Sequence, residues 1–269
     1  MRGKSSLPGL TGSTVIAAAL TFPLLFGGTD SSTSGYVVTR IGEQRTIELT
    51  DGSLIILNTD SVLKKRTLGS TLSIDLLRGE AFFAMRPKLH RQMVVSAGGL
   101  KISHTATLFA VQLSESGRVK VTVQEGEARL SGTRLGSLSL HQNQQALADI
   151  QATQVDIRKS VDAAEIARQL SWRDGLLIFR CTTLSDAASE FNRYNLTRIE
   201  VDTRLSDLPV VGSKAFSTTD PRKFVETVSS MNPGIQWDWA RNAHGESILR
   251  LHQTEDIAPG ALTPAPCGP

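Results

Sequence analysis

A mainly β domain of short strands, sandwich- or solenoid-like, followed by a small α+β domain, is the fold class this sequence predicts. Two patterns carry that expectation. Between about residues 37 and 157, short runs of period-two alternation are separated by turn residues, and no long helical face interrupts them. After Ser160 the texture changes, and helix-period faces alternate with short apolar runs. Composition allows both domains: 40% of the 269 residues are hydrophobic and 20% charged, enough apolar material for real cores. A net charge of +3 is too thin over this length to argue for nucleic acid.

The chain opens with a stub, residues 1–9, holding Arg2 and Lys4. No charged residue occurs from Ser5 to Thr29, and residues 10–28 are mostly apolar, including Phe22-Pro23-Leu24-Leu25-Phe26. As a helix that stretch reaches about 28 Å, near the thickness of a hydrocarbon core. Two readings compete, a transmembrane anchor and a cleaved signal peptide. The end of the apolar run puts a large residue at position −3 of any cut at Gly27 or Gly28, which favours the anchor. With the basic residues held in the cytoplasm, either reading sends the body across the inner membrane. The expected location is therefore single-pass in the inner membrane, with the bulk in the periplasm. Residues 29–36 read as a polar linker.

In the β-rich part, 37–157, Leu72–Leu76 and Val119–Val123 alternate strictly. Further strands are expected at Ile47–Leu49, Leu54–Leu57, Ala81–Met85, Met93–Val95, Phe109–Leu113, Ala128–Leu130 and Leu138–Leu140. Asp51-Gly52-Ser53, Arg78-Gly79-Glu80, Gly98-Gly99 and Glu125-Gly126-Glu127 are expected turns.

The second domain spans 160–254. Asp162 to Leu170 reads as a helix, with Asp162 as cap and Glu165 three places on. Leu176–Phe179 is a buried-strand run. Leu184, Ala187, Ala188 and Phe191 then mark one helical face, capped by Thr183 with Asp186. Strands follow at Ile199–Val201 and Val210–Val211. Asp220-Pro221 opens a helix whose face is Phe224, Val225, Val228 and Met231, and Asn232-Pro233-Gly234 closes it. Ile235–Ala240 and Ile248–His252 complete a hairpin. Trp172, Phe179, Phe191 and Phe224 are expected in the core, and Arg193 and Tyr194 exposed at a helix end. Residues 255–269 read as a disordered tail.

Catalytic chemistry is not legible. There is no phosphate-cradling glycine loop, nucleophile elbow, paired helical histidine or C-x-x-C. The sequence predicts no enzyme, cofactor, metal or nucleic-acid partner, and assigns no partner-binding residue. His90 and His104 could meet across strands at a metal, but isolated strand histidines fit better. Asp51 reads as a turn brace. Lys64-Lys65-Arg66 and Arg86-Pro87-Lys88 read as solvated loops, Asn195-Leu196-Thr197 as a chance sequon, and Cys181 and Cys267 as one optional disulfide.

Read in order, several segments resemble the extracytoplasmic domain of the FecR family. They are Leu49-Thr50-Asp51-Gly52-Ser53, Leu57-Asn58 with Ser61, Gly79-Glu80-Ala81-Phe82-Phe83, Thr107-Leu108-Phe109-Ala110-Val111 and Val121 to Gly126. Trp172-Arg173-Asp174-Gly175, Leu176, Phe179, Leu184 and Phe191-Asn192-Arg193-Tyr194 continue the match toward a module similar to the secretin and TonB N-terminal (STN) domain. The resemblance covers about Val38 to Leu251. It implies a transmembrane anti-sigma regulator of iron transport that couples a TonB-dependent outer-membrane receptor to an extracytoplasmic-function sigma factor. The implied partners are the receptor's signalling domain, the inner membrane and the sigma factor. Two departures stand out. Thr105-Ala106-Thr107 replaces the family's Leu-Gly-Thr, and only about ten residues precede Leu10 where the family carries its sigma-binding segment. Direct sigma contact is therefore expected only from an upstream start or a second chain. Otherwise this chain keeps the sensing half alone. A periplasmic glycan- or peptidoglycan-binding module is the alternative class.

Overall fold

A computed structural model describes residues 34–254 apart from 69–70, 87–91, 133–135, 150–153, 159, 211–213 and 243. The expected anchor at 10–28, most of the linker and the tail at 255–269 lie outside the described residues. Among those described, no helix is long and apolar enough to cross a membrane.

Eleven strands form one sheet: β1 (Ser34–Val38), β2 (Arg45–Glu48), β3 (Leu54–Leu57), β4 (Val62–Leu68), β5 (Thr71–Ala84), β6 (Gln92–Ala97), β7 (Leu100–Leu113), β8 (Arg118–Gly132), β9 (Gly136–His141), β10 (Gln144–Asp149) and β11 (Gln154–Arg158). Short strands were the expectation, yet β5, β7 and β8 run 14, 14 and 15 residues. Each changes partners midway. Thr71–Leu76 of β5 pairs with β4 and β6, whereas Gly79–Ala84 pairs with β7. Arg118–Val123 of β8 pairs with β10, and Glu127–Gly132 with β9. The sheet thereby folds into two leaves joined by three continuous strands, a sandwich closed around one core that includes Leu57, Ile74, Phe83, Ile102, Phe109 and Val121. Phe83 and Phe109 stack inside it with ring centres 4.8 Å apart.

The bends explain two misread turns. Arg78-Gly79-Glu80 and Glu125-Gly126-Glu127 lie inside β5 and β8, with φ of +83° at both glycines. A left-handed glycine in a ladder kinks the strand without reversing it. At Gly79 the backbone comes so close to Ser61 that a Cβ would stand 2.0 Å from its Oγ. In β7 the register shifts between Thr105 and Leu108, so this corner turns without glycine. Asp51-Gly52-Ser53 and Gly98-Gly99 are true turns.

Four strands of this sheet were not read from sequence: β1, β4, β10 and β11. The linker expectation is corrected at its end, since Ser34 and Gly35 already pair with Arg66 and Lys65. Lys64-Lys65-Arg66 is no loop but part of β4, and Lys65 is buried. Its aliphatic stem lets a lysine occupy a half-buried strand position.

The α+β domain follows the expected order. Helix α1 (Ala163–Gln169) is capped by Asp162, which accepts from the Ala164 N–H at 3.1 Å. Glu165 pairs with Arg168 and Gln169, so it is not the capping-box partner. Helix α2 (Leu184–Tyr194) begins at Thr183, whose Oγ1 accepts from Asp186 N–H at 3.0 Å. Helix α3 (Pro221–Met231) begins at Asp220, which accepts from Lys223 N–H at 2.9 Å. Strand β12 (Leu176–Phe179) pairs antiparallel with β14 (Lys214–Ser217). Strand β13 (Arg198–Val201) lies parallel to β16 (Ser247–Gln253), which pairs antiparallel with β15 (Ile235–Arg241). The strand expected at Val210–Val211 is corrected to β14. Val210 is buried beside the Thr183–Pro209 bridge, and Val211 lies outside the described residues. Phe179, Phe191, Phe216 and Phe224 form the core, as expected for three of them.

Candidate functional site

The two domains share an apolar contact and a polar seam. Phe82 of β5 and Ala110 of β7, opposite each other in register, turn away from the sandwich core and join the core of the α+β domain. Arg173 stands over Phe82, its guanidinium 4.0 Å from the ring centre. Trp172, which precedes it, is 2% exposed.

Beside this contact stands Glu80, a buried residue of β5 that follows the Gly79 kink. Its Oε2 accepts from Asn58 Nδ2 at 3.0 Å and from Arg193 Nη2 at 2.7 Å. Asn58 Nδ2 also donates to the Tyr194 hydroxyl at 2.8 Å. Arg193 Nη1 reaches Glu190 at 2.6 Å, and the Arg193 carbonyl accepts from Thr59 Oγ1 at 3.1 Å. Gln44 Nε2 donates to the Trp172 carbonyl at 2.7 Å. Burial opposes charge on Arg193, yet Glu190 and Glu80 outweigh it and hold the guanidinium protonated well above its ordinary value. Burial above all keeps the Tyr194 phenol neutral far beyond its usual range. A charge-paired, hydrogen-bonded network of this kind fixes the orientation of one domain on the other.

Arg193 and Tyr194, expected exposed, are the α+β half of this seam, and Tyr194 is 3% exposed. A helix end that leaves its own domain can still be covered by a neighbour, which periodicity within one element does not reveal. Asn58, Thr59 and Gln44 had no assigned role. In the sequence Asn58 stands only as part of the FecR-like segment Leu57-Asn58, and Asn58 and Thr59 as polar residues just past the apolar strand β3. A cleft of about 240 Å³ opens next to the seam, lined by Glu80, Lys120, Arg168, Trp172, Phe179 and Arg193 among others.

A second feature faces solvent. Strand β15 is an edge strand of its sheet among the described residues. Trp237 and Trp239 share one of its faces, 6.4 Å apart, and Trp239 is 55% exposed. Tyr36, on the β domain, is the other strongly exposed aromatic among the described residues, at 61%.

The remaining sequence candidates are dispersed. Asp51 braces its turn, accepting from Ser53 N–H at 2.9 Å. His141 and His244 are exposed on separate elements, and His252 stands 3.5 Å from Asp238. His90 and the His104 side chain lie outside the description, as do Pro87 and Lys88. Among the described residues no three His, Cys, Asp or Glu side chains converge as a metal site. The sequon's Asn195 has its amide committed to the Phe191 and Thr218 carbonyls. Cys181 is disulfide-bonded, and Cys267, the only other cysteine in the sequence, lies outside the described residues.

The architecture defines a two-domain protein, a bent β sandwich locked to an α+β domain that carries an open strand. Residues 35–129 match the FecR protein family, so the chain carries a FecR-family segment covering most of the sandwich. Two crystal structures of a candidate anti-sigma factor from Parabacteroides distasonis ATCC 8503, at 2.50 and 1.65 Å resolution, resemble the chain over 81% and 82% of its length. They are covered to 98% and 100%, with TM-scores of 0.61 and 0.63 and 18% identity in both cases. At that identity the likeness is one of fold, and it embraces both domains. No curated protein matches the sequence.

Proposed function

We propose that this chain is a transmembrane signal transducer of the FecR type. It relays the state of a TonB-dependent outer-membrane receptor toward an extracytoplasmic-function sigma factor and so regulates iron uptake. In this reading residues 10–28 anchor it in the inner membrane and both domains occupy the periplasm. The α+β domain, similar in element order to the STN module, receives the receptor's signalling domain. The FecR-family match supports the class of function. The disulfide at Cys181 accords with an oxidising compartment.

The observation that carries the receptor half is the open edge of β15. An unpaired strand offers main-chain donors and acceptors that bind a partner strand without a deep pocket. Trp239 beside it supplies a large, partly apolar anchor of the sort that dominates interface energetics. Full-length protein in detergent is expected to capture the signalling domain of its cognate receptor, and Trp239→Asp to weaken capture at least tenfold without lowering the melting temperature. Failure to bind any receptor signalling domain from the same genome overturns the reading.

A further inference from the structure

On the outward face of the sandwich, the first strand carries apolar side chains where polar ones are usual. Tyr36 and Val38 of β1 are 61% and 48% exposed, and the intervening Val37 is buried. Register sets Tyr36 opposite Lys64, whose Nζ lies 5.1 Å from the ring centre, and Val38 opposite Val62. A bulge then adds to the patch. Val62 pairs with Arg78 and Leu63 with Leu76, leaving Leu77 as the extra residue, 49% exposed. Bulges re-aim side chains, and this one turns a leucine outward. Tyr36, Val38, Val62 and Leu77 therefore form one apolar patch.

Its rim carries three cations, Lys64, Arg66 and Arg78, and two carboxylates. Among the described residues Arg66 pairs with Asp75 at 2.5 Å and Arg78 with Asp60 at 2.6 Å, so the uncompensated charge is that of Lys64. Lys64 faces the Tyr36 ring and has no carboxylate partner among the described residues. Tyrosine over apolar side chains, with lysine and arginine around it, is the composition that suits the boundary between lipid headgroups and acyl chains. The position along the chain fits as well. Five residues separate Gly28 from Ser34, a reach of at most about 20 Å.

The geometry points to the β1–β4–β5 face resting on the membrane surface, with Tyr36, Val38 and Leu77 in the headgroup layer and Lys64, Arg66 and Arg78 toward anionic lipid phosphates. This inference rests on the reading of residues 10–28 as an anchor. The docked face fixes how the sandwich stands on the bilayer and leaves the α+β domain projecting toward its partner.

The test uses the full chain in nanodiscs containing phosphatidylglycerol, with single spin labels at Leu20→Cys, Ser73→Cys or Leu196→Cys. Ser73 lies on the same face, opposite Arg66, while Leu196 is exposed on the other domain. Oxygen-to-nickel accessibility is expected to be severalfold higher at 20 and 73 than at 196. It should fall at 73 when phosphatidylcholine replaces the anionic lipid. Tyr36→Ser with Leu77→Ser should return label 73 to the value at 196 without moving the melting temperature. A water-exposed label at 73 with a buried label at 20 overturns the docking and leaves the anchor standing. Labels exposed at both positions remove the anchor and the docking with it. Dipolar broadening between labels at 73, with no lipid dependence, assigns the face to a second copy and overturns the proposal.

Discussion

Glu80 has a side chain 6% exposed and, among the described residues, one neutralising partner, Arg193, 113 positions away. Removing the arginine strands a carboxylate in a covered site, which costs about 3 kcal/mol. Arg193→Ala is therefore expected to lower the urea midpoint strongly. Glu80→Gln in the same background should recover most of the loss, since Asn58 can still donate to a neutral amide. Gly79 makes a second expectation. Alanine there meets both the left-handed φ and the Ser61 hydroxyl. Strain and crowding together cost about 2–4 kcal/mol, measurable by chemical denaturation. These two neighbours were legible as part of a motif but not as a device. Asn58, Glu80 and Arg193 are polar residues in unrelated segments, and only the fold brings them to one point.

Helix caps show the opposite case, in which local chemistry suffices. Asp162, Thr183 and Asp220 were identified by sequence alone and each caps its helix. Asp202 does the same for the 3-10 turn Thr203–Leu205, accepting from the Arg204 N–H at 2.9 Å and its Nη2 at 2.7 Å. The hydrogen bonds from Arg204 hold its carboxyl down at about 2. A depressed carboxyl stabilises the fold above its unfolded value near 4 and loses that contribution as pH falls toward 2. Carbon-detected NMR titration should find this carboxyl well below the ordinary aspartate value, and Arg204→Ala should restore it. Strand ends were less legible than helix caps. Arg78-Gly79-Glu80 and a hairpin turn share the same composition, and whether a left-handed glycine reverses or merely bends the chain depends on which neighbour the next residue finds. The expected strand failed at Val210 for a related reason, because an apolar residue beside a single bridge resembles a strand.

The molecule as a whole is held together across its domain boundary by Phe82, Ala110, Arg173 and the Glu80 network. The periodicity of the sequence changes near residue 160, but nothing in it marks the extent of contact between the segments on either side. Side chains that leave one core for another carry no periodic mark. Calorimetry of the intact protein is expected to show one cooperative transition. Arg193→Ala combined with Phe82→Ser should split it into two, with the sandwich and the α+β domain melting apart.

The length of β8 has a practical consequence. The family segment ends at residue 129, inside a strand that continues to Gly132 and is bordered by β9 and β10. Excision at that point strips Leu140, Ala146 and Ala148 from the interior and leaves bare amides along Arg118–Val123. Such a fragment presents a long sticky ribbon to its own copies and is expected to precipitate. The smallest soluble piece must run past β11, and the solvent-averse ring of Phe82 argues for keeping the rest.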